Sequence, residues 1–454
     1  MIYKIVVKNI FFLCSISLAI FLAWVFYYNQ EVGVVGFIKD DNNSADRKLS
    51  ADMKLLWGKT ISQYIKNNLW EEAGDMYDSS NSLMVPLHAA FYLDYDIGRA
   101  EFSKQFSEFV KNDNISFLTS NDDIDLSREH YLYLGTRFMA LAAQSGEYGL
   151  IPKELPEKLK KEVIILWKQK PARWCNDLIF TGGAKERLIW KLDRDNTPVS
   201  YCRAMIDHEM FLFAMAADIR IYENETKAIQ DSTITEIIHY AYESIKKYVF
   251  YTENNGWLFQ PGIWRDHPDY KYAGNSQISQ DVEIRLVDNI AEDSSHSHRW
   301  PVWLISFIEA SSGDKARHDY YSALRKKLEN QFFEKVLVPP TEDFTCYRVN
   351  NYMDGYNGIY RFGYSTAGEN SGYGPYQLSG ILIDGWWGMF GTERVNIIYR
   401  DIANCFPLSK NIIDTYVGPN TNRTRNEYVE WPNYFQNGFG EINVNLVSKI
   451  KIDL

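Results

Sequence analysis

Two histidines stand two positions apart in Glu292-Asp293-Ser294-Ser295-His296-Ser297-His298-Arg299-Trp300-Pro301, in a chain with only 8 His. The apolar Val302, Trp303, Ile305 and Ile308 that follow recur at helical spacing, which puts the pair at or just before a helix N-terminus. The positive end of a helix dipole lowers a histidine's pKa there and favours the neutral, proton-accepting form. On an extended segment, residues two apart point the same way, so His296 and His298 would face one ligand. The competing reading makes one of them a helix cap and the other a packed surface residue. Metal binding needs a third ligand, and neither HExxH nor CxxC occurs in the sequence. The expectation is therefore no metal, with zinc a minor option.

A second group runs from Tyr347 to Gly391. Tyr352, Tyr356, Tyr360 and Tyr364 are spaced by four, with Gly355, Gly358 and Gly363 between them. A helix would lose about 1 kcal/mol at each glycine, so a loop is expected. Arg361 lies in the same stretch, and Gly368-Glu369-Asn370-Ser371-Gly372-Tyr373 follows. Tyrosines on a glycine-rich loop suit a sugar cleft, because their rings stack on sugar faces and their hydroxyls form hydrogen bonds. A packed aromatic loop without a ligand is the alternative. A third patch, Trp264, Arg265, Asp266 and His267 with Tyr270, Tyr272, Asn275, Arg285 and Asn289, either lines the same cleft or is an ordinary surface loop. Arg203, Asp207, His208 and Glu209 flank an apolar helix and read as a solvated or salt-bridged face. Serine nucleophile elbows, phosphate loops and dinucleotide fingerprints are absent from the sequence.

The elements that must hold these residues read as helical. Ser127 can cap a helix carrying Tyr131, Leu134, Phe138 and Leu141 and closed by Gly146. Further helices are expected over Met205 to Ile221, Ile234 to Val249, Val302 to Ala310, Asp314 to Leu337, Ile381 to Phe390 and Val395 to Cys405. Alternation suited to a strand appears only in the tail, at Ile442, Val444 and Leu446. No fixed repeat period is found, which disfavours a solenoid. The long insertions at Tyr251 to Gln280 and Thr341 to Gln377 suit an α/α toroid, whose end loops build a cleft.

The whole chain has 454 residues, 46% hydrophobic and 24% charged, which excludes a disordered or collagen-like chain. Its 48 Lys+Arg against 59 Asp+Glu leave a net charge of −11, a balance that argues against general nucleic-acid binding. Ile10 to Tyr28 is uncharged, preceded by Lys4 and Lys8 and ended by Trp24, Tyr27 and Tyr28. About 20 such residues cross a bilayer, so a single-pass anchor with a cytoplasmic N-terminus is expected. The domains then read as anchor 1–29, polar tether 30–50, α/α-toroid catalytic body 51–406 and C-terminal segment 407–454 with short strands. The body would sit in the periplasm, held at the inner membrane. The sequons at Asn42, Asn114, Asn224 and Asn422 fit a secretory lumen equally. Cys175, Cys202, Cys346 and Cys405 form two disulfides or remain buried thiols, and Cys175 with Cys202 is the nearest pair in sequence.

Together, the helical body, the histidines before a helix and the downstream Arg/Tyr loop resemble the α/α-toroid polysaccharide lyases of the alginate-lyase-like and chondroitin-lyase-like group. The resemblance spans at most Tyr201 to Phe406. It implies a uronate glycan as substrate, cleaved by β-elimination without a cofactor. His298 or His296 matches the family histidine, Arg361 and Tyr364 match the Arg/Tyr part, and Tyr373 is a second phenol. The adjacent Asn-His of the alginate enzymes is missing, since Asn289 lies well ahead of His296. Trp264, Arg265, Asn289, Arg299, Trp300, Tyr356, Tyr360 and Asn370 are the expected substrate contacts. Two alternatives stand beside the lyase. One is an α/α-barrel glycoside hydrolase with Glu369 as acid and Asp354 or Asp293 as partner. The other is a non-catalytic glycan-binding protein of polysaccharide assembly.

Overall fold

Capping and apolar spacing set out the helices in turn. Ser50 accepts the Met53 N–H at 3.3 Å and opens α1 (Ala51–Lys59). After it come α2 (Ala73–Tyr92), α3 (Asp96–Asn112), α4 (Asp122–Gln144), α5 (Leu155–Lys168) and α6 (Gly183–Leu192). Next are α7 (Asp207–Thr226) and α8 (Ser232–Tyr248), the latter capped by Asp231, which accepts from Thr233 and Ile234. A short α9 (Ser294–Ser297), α10 (Trp300–Ala310), α11 (Lys315–Gln331), α12 (Ile381–Asp384), α13 (Glu393–Ala403), α14 (Lys410–Val417) and α15 (Phe439–Val447) follow, and a further single turn, Ile61–Tyr64, lies between α1 and α2. This computed structural model describes residues 48–193, 199–366, 368–419 and 425–453. The expected anchor and most of the tether lie outside them. Among the described residues, no helix is long and apolar enough to cross a membrane.

The protein is mainly helical, and its strands are three short antiparallel hairpins, Ala172–Trp174 with Leu178–Phe180, Val249–Tyr251 with Trp257–Phe259, and Leu337–Val338 with Arg348–Val349. Two expected helices are interrupted. α11 stops at Gln331, and a π-helical turn, Phe332–Val336, leads into the third hairpin. The helix expected over Ile381 to Phe390 breaks at Gly385, where φ is +84° and a Cβ would lie 2.8 Å from Val447 and 3.0 Å from Val85. Close approach of two neighbouring helices thus demands glycine and ends α12, and a 3₁₀ turn, Trp386–Phe390, follows.

The strands expected in the tail are corrected to α15. Ile442, Asn443, Val444, Leu446 and Val447 are all buried, so packing on nearly every side erases the helical period. Asn443 is accommodated because its amide donates to the Ser82 carbonyl at 3.2 Å and to the Tyr434 hydroxyl at 2.9 Å.

Helix packing follows a regular succession. α2 packs on α4, α4 on α7, α7 on α10, and α10 on the Trp386–Phe390 turn beside α12. α12 packs on α15, and α15 returns to α2. All but α12 pack against a further helix, with α3 against α2, α5 against α4 and α7, α8 against α7, α11 against α10, and α13 against α15. Two disulfides tie down the connections, Cys175–Cys202 with Cα atoms 5.3 Å apart and Cys346–Cys405 at 6.1 Å. Both pairings fall within the ordinary reach of a disulfide.

Candidate functional site

Asp293 organises the turn that carries both histidines. Its carboxylate caps α9, accepting the Ser295 N–H at 3.0 Å and the His296 N–H at 3.1 Å. The same carboxylate meets His296 Nδ1 at 2.8 Å and accepts the Tyr270 hydroxyl at 2.7 Å. Across the ring, His296 Nε2 lies 3.8 Å from Asp207 Oδ2, and Arg299 donates to that same oxygen at 2.6 Å. Arg299 also donates to the Tyr77 hydroxyl at 3.1 Å. Asp207, read from sequence as part of a salt-bridged face, is salt-bridged indeed, but to residues of this site.

The aromatic segment is a loop, as the glycines require. At Gly358 a Cβ would lie 1.6 Å from the Ala273 carbonyl oxygen, so only glycine lets the loop press against the 270s. Tyr360 and Tyr373 pair through reciprocal backbone hydrogen bonds of 2.8 Å. The Tyr360 hydroxyl lies 3.5 Å from His296 Nδ1. Arg361 has φ +53° and donates through Nε to Asp269 at 2.8 Å. Its guanidinium stacks over the rings of Tyr360 (5.1 Å) and Tyr364 (4.7 Å), which fixes its plane.

These groups share one cleft with a cavity volume of about 300 Å³. Of the residues expected to act, His296, His298, Arg361, Tyr364 and Tyr373 line it, together with Arg299 and Tyr360 from the expected contacts. The others do not. Glu369 and Asn370 are exposed and outside the lining. Trp264 is buried and stacked on Tyr270 at 5.5 Å, where it supports the loop, and Trp300 is core, edge-on to Trp257. Arg265 pairs with Asp288 on the surface, and Asn289 and Tyr356 are exposed. Asp354 accepts the Ala291 and Tyr356 N–H groups, so it braces the loop.

Sequence reasoning missed the far wall: Tyr77, Asp78 and Asn81 from α2, Asp384 from α12, and Arg425 with Trp431. Arg425 lies 3.5 Å from Asp78. No local pattern marks these residues, because they meet the histidines only through helix packing. Among the described residues, no group of His, Cys, Asp and Glu is arranged to hold a metal ion.

The surroundings shift the two histidines in opposite directions. Burial alone would push His296 down, but Asp293 and then Asp207 outweigh it and hold the imidazole above its ordinary value. The helix-dipole expectation of a neutral base is therefore corrected for His296. His298, 2% exposed, has no hydrogen bond of normal geometry to either ring nitrogen and packs on Trp386 at 5.5 Å. Burial, reinforced by the Arg299 charge, holds it well below the usual histidine range. Opposite them, burial pushes the Asp384 carboxyl up to about 7, against the pull of Arg425.

No family model, no curated protein and no solved structure matches this chain.

Proposed function

We propose that the protein is an exported, membrane-anchored polysaccharide lyase built on an α/α toroid, cleaving a uronate-containing glycan by β-elimination. The observation that carries this reading is the convergence of His296, His298, Arg361, Tyr364 and Tyr373 on one cleft. The proton on C5 of a uronate becomes acidic only when the neighbouring carboxylate is neutralised, which cationic groups such as Arg361 supply. A neutral imidazole or a phenolate then takes that proton, the C4–O bond breaks, and a C4–C5 double bond forms. A phenol, Tyr364 or Tyr373, gives its proton to the departing oxygen, so protons and electrons balance within the site. Two further features support the reading. The helix succession from α2 through α15 and back to α2, with a further helix packed on all of them but α12, is in keeping with a toroid. Two disulfides suit an oxidising, exported compartment.

A second reading has one observation in its favour. Asp384 lines the cleft with a carboxyl held near neutrality, which is how a glycoside hydrolase keeps its general acid protonated. In that case Asp384, and not Glu369, is the acid.

The deciding experiment incubates the full chain with acidic and neutral polysaccharides and follows the ultraviolet absorbance of an unsaturated uronate together with new reducing ends. Rising absorbance with acidic glycans is the expected result. Reducing ends without absorbance would establish the hydrolase, and neither signal would end both readings. Within the lyase reading, Tyr364→Phe and His298→Ala should each lower turnover by about 10²–10⁴-fold with unchanged circular dichroism. Normal cleavage by both variants would remove this site assignment.

A further inference from the structure

We propose that Arg425 and Trp431, on the far wall of the cleft, form a subsite for a sugar bearing an anionic oxyacid group, a carboxylate or a sulfate ester. The subsite rests on the reading of the cleft as a glycan site and is independent of β-elimination. Both residues follow Phe406, beyond the stretch that resembles the lyases, so the resemblance gives them no role.

The arginines that line the cleft are committed to different degrees. Arg299 donates to Asp207 at 2.6 Å and to Tyr77 at 3.1 Å. Arg361 donates to Asp269 at 2.8 Å and is stacked over two tyrosine rings. Arg425 is held more loosely. Among the described residues its ion-pair partner is Asp78, 3.5 Å away, which is longer than an ordinary N–H···O bond. A guanidinium carries five N–H groups in a planar fork, so one long contact leaves most of them for a ligand. The side chain is 22% exposed and keeps an edge on the cavity. Its fork matches two oxygens of one carboxylate or sulfate, a pairing that a neutral sugar hydroxyl does not supply.

Trp431 provides the apolar half of the subsite. Its ring packs on the buried Phe435 at 4.9 Å, which fixes its place in the wall. The indole is only partly buried and lines the same cavity, so it can take the C–H face of a sugar ring. The other charged groups on this wall are carboxyls. Asp78 pairs with Arg425, burial pushes Asp384 up to about 7, and Glu430 is exposed, where water and salt screen it. At mildly acidic pH, Asp384 is therefore uncharged and leaves Arg425 to the ligand.

Calorimetric titration of the full chain tests the subsite. Polygalacturonate serves as the carboxylate probe, dextran sulfate as the sulfate probe and dextran as the neutral control. The net charge of −11 disfavours non-specific uptake of polyanions, so affinity reports local cations. The wild type should bind at least one anionic polymer more tightly than dextran. Arg425→Gln should weaken that binding about 10- to 100-fold, the range for a hydrogen bond to a charged group, and the polymer affected identifies the anion. Arg400→Gln, which removes a surface arginine paired with Glu393, should leave the affinity unchanged. Trp431→Leu should weaken binding about 10-fold with the same anion preferred. A wild type that favours neither anionic polymer over dextran would overturn the proposal. So would unchanged affinity in Arg425→Gln or in Trp431→Leu, or an equal loss in Arg400→Gln. If Arg425→Gln fails to fold, Arg425→Lys keeps the charge, removes the fork and should still lose about 10-fold. Turnover on the panel of polysaccharides judges the lyase separately. Arg425-dependent affinity in a protein that cleaves none of them keeps the subsite and ends the lyase reading. Cleavage by β-elimination with affinity untouched in Arg425→Gln does the reverse.

Discussion

α7 and α10 each carry two polar clusters, one at the N-terminal end and one further along. At the ends, Asp207 and Arg299 join His296, Asp293 and Tyr77 around the cleft. Deeper in the same helices, Asp218, Ser306 and Glu309 surround Arg137 of α4. The inner cluster closes on itself. Arg137 donates to Asp218 at 2.8 Å and to Ser306 at 3.0 Å, it pairs with Glu309, and Thr136 donates to Asp218 at 3.2 Å. The outer cluster uses the same chemistry but stays open, because His296, His298 and Arg299 line the cavity. The contrast shows that a buried ion pair marks a site only where one of its neighbours still faces a space that a ligand can fill.

The largest way to break this comparison is Arg137→Met. It strands Asp218 and Glu309 in the interior and should cost about 3–5 kcal/mol, read as a lower denaturant midpoint. The matching change at the cleft, Arg299→Met, leaves Asp207 facing His296 at 3.8 Å, so it should cost less, about 1–3 kcal/mol. If the two variants lose equal stability, the outer cluster is as structural as the inner one, and the cleft assignment weakens.

How far this contrast was legible in the sequence depends on the residue. His296, His298, Arg361, Tyr364 and Tyr373 stood out because their types are scarce or clustered, and they do meet in one cleft. Glu369 stood out for the same reason yet lies on the surface, since composition cannot say which side of a loop faces inward. Asp78, Asp384 and Arg425 were invisible, being single polar residues brought in by helices far apart in the chain. Ile234 to Val249 and Val395 to Cys405 were readable as helices because one face stays polar, whereas Asp96–Asn112 and Leu155–Lys168 were not singled out although each also keeps a polar face. Helical spacing failed as a guide at α15, buried nearly all round, and at Gly385, where a neighbour's Cβ-sized approach rather than local propensity ends the helix. The opposite shifts of His296 and His298 were equally hidden, because they follow from Asp293, Asp207 and the depth of burial rather than from the helix terminus.

The smallest effect sharpens the boundary between the clusters. His130 is fully buried between them, its ring 4.3 Å from that of Tyr77 and 4.1 Å from that of Phe211. Burial pushes His130 well below the ordinary 6.5, as it does His88 and His298. The unfolded chain binds protons at these residues as pH falls through about 6.5, and the folded chain does not. Their contribution to stability is therefore complete above that pH and drains away below it. His296, raised by its carboxylates, acts in the opposite sense: its contribution is complete below about 6.5 and is lost as pH rises through its folded value. His130→Phe keeps a ring in the space and removes one of these acid-sensitive groups. Denaturant unfolding at neutral and at mildly acidic pH should show a shallower loss of stability on acidification in this variant than in the wild type. An unchanged slope would mean that His130 takes up its proton in the folded protein, which would require the space beside Tyr77 to be part of the open cleft instead of the sealed interior.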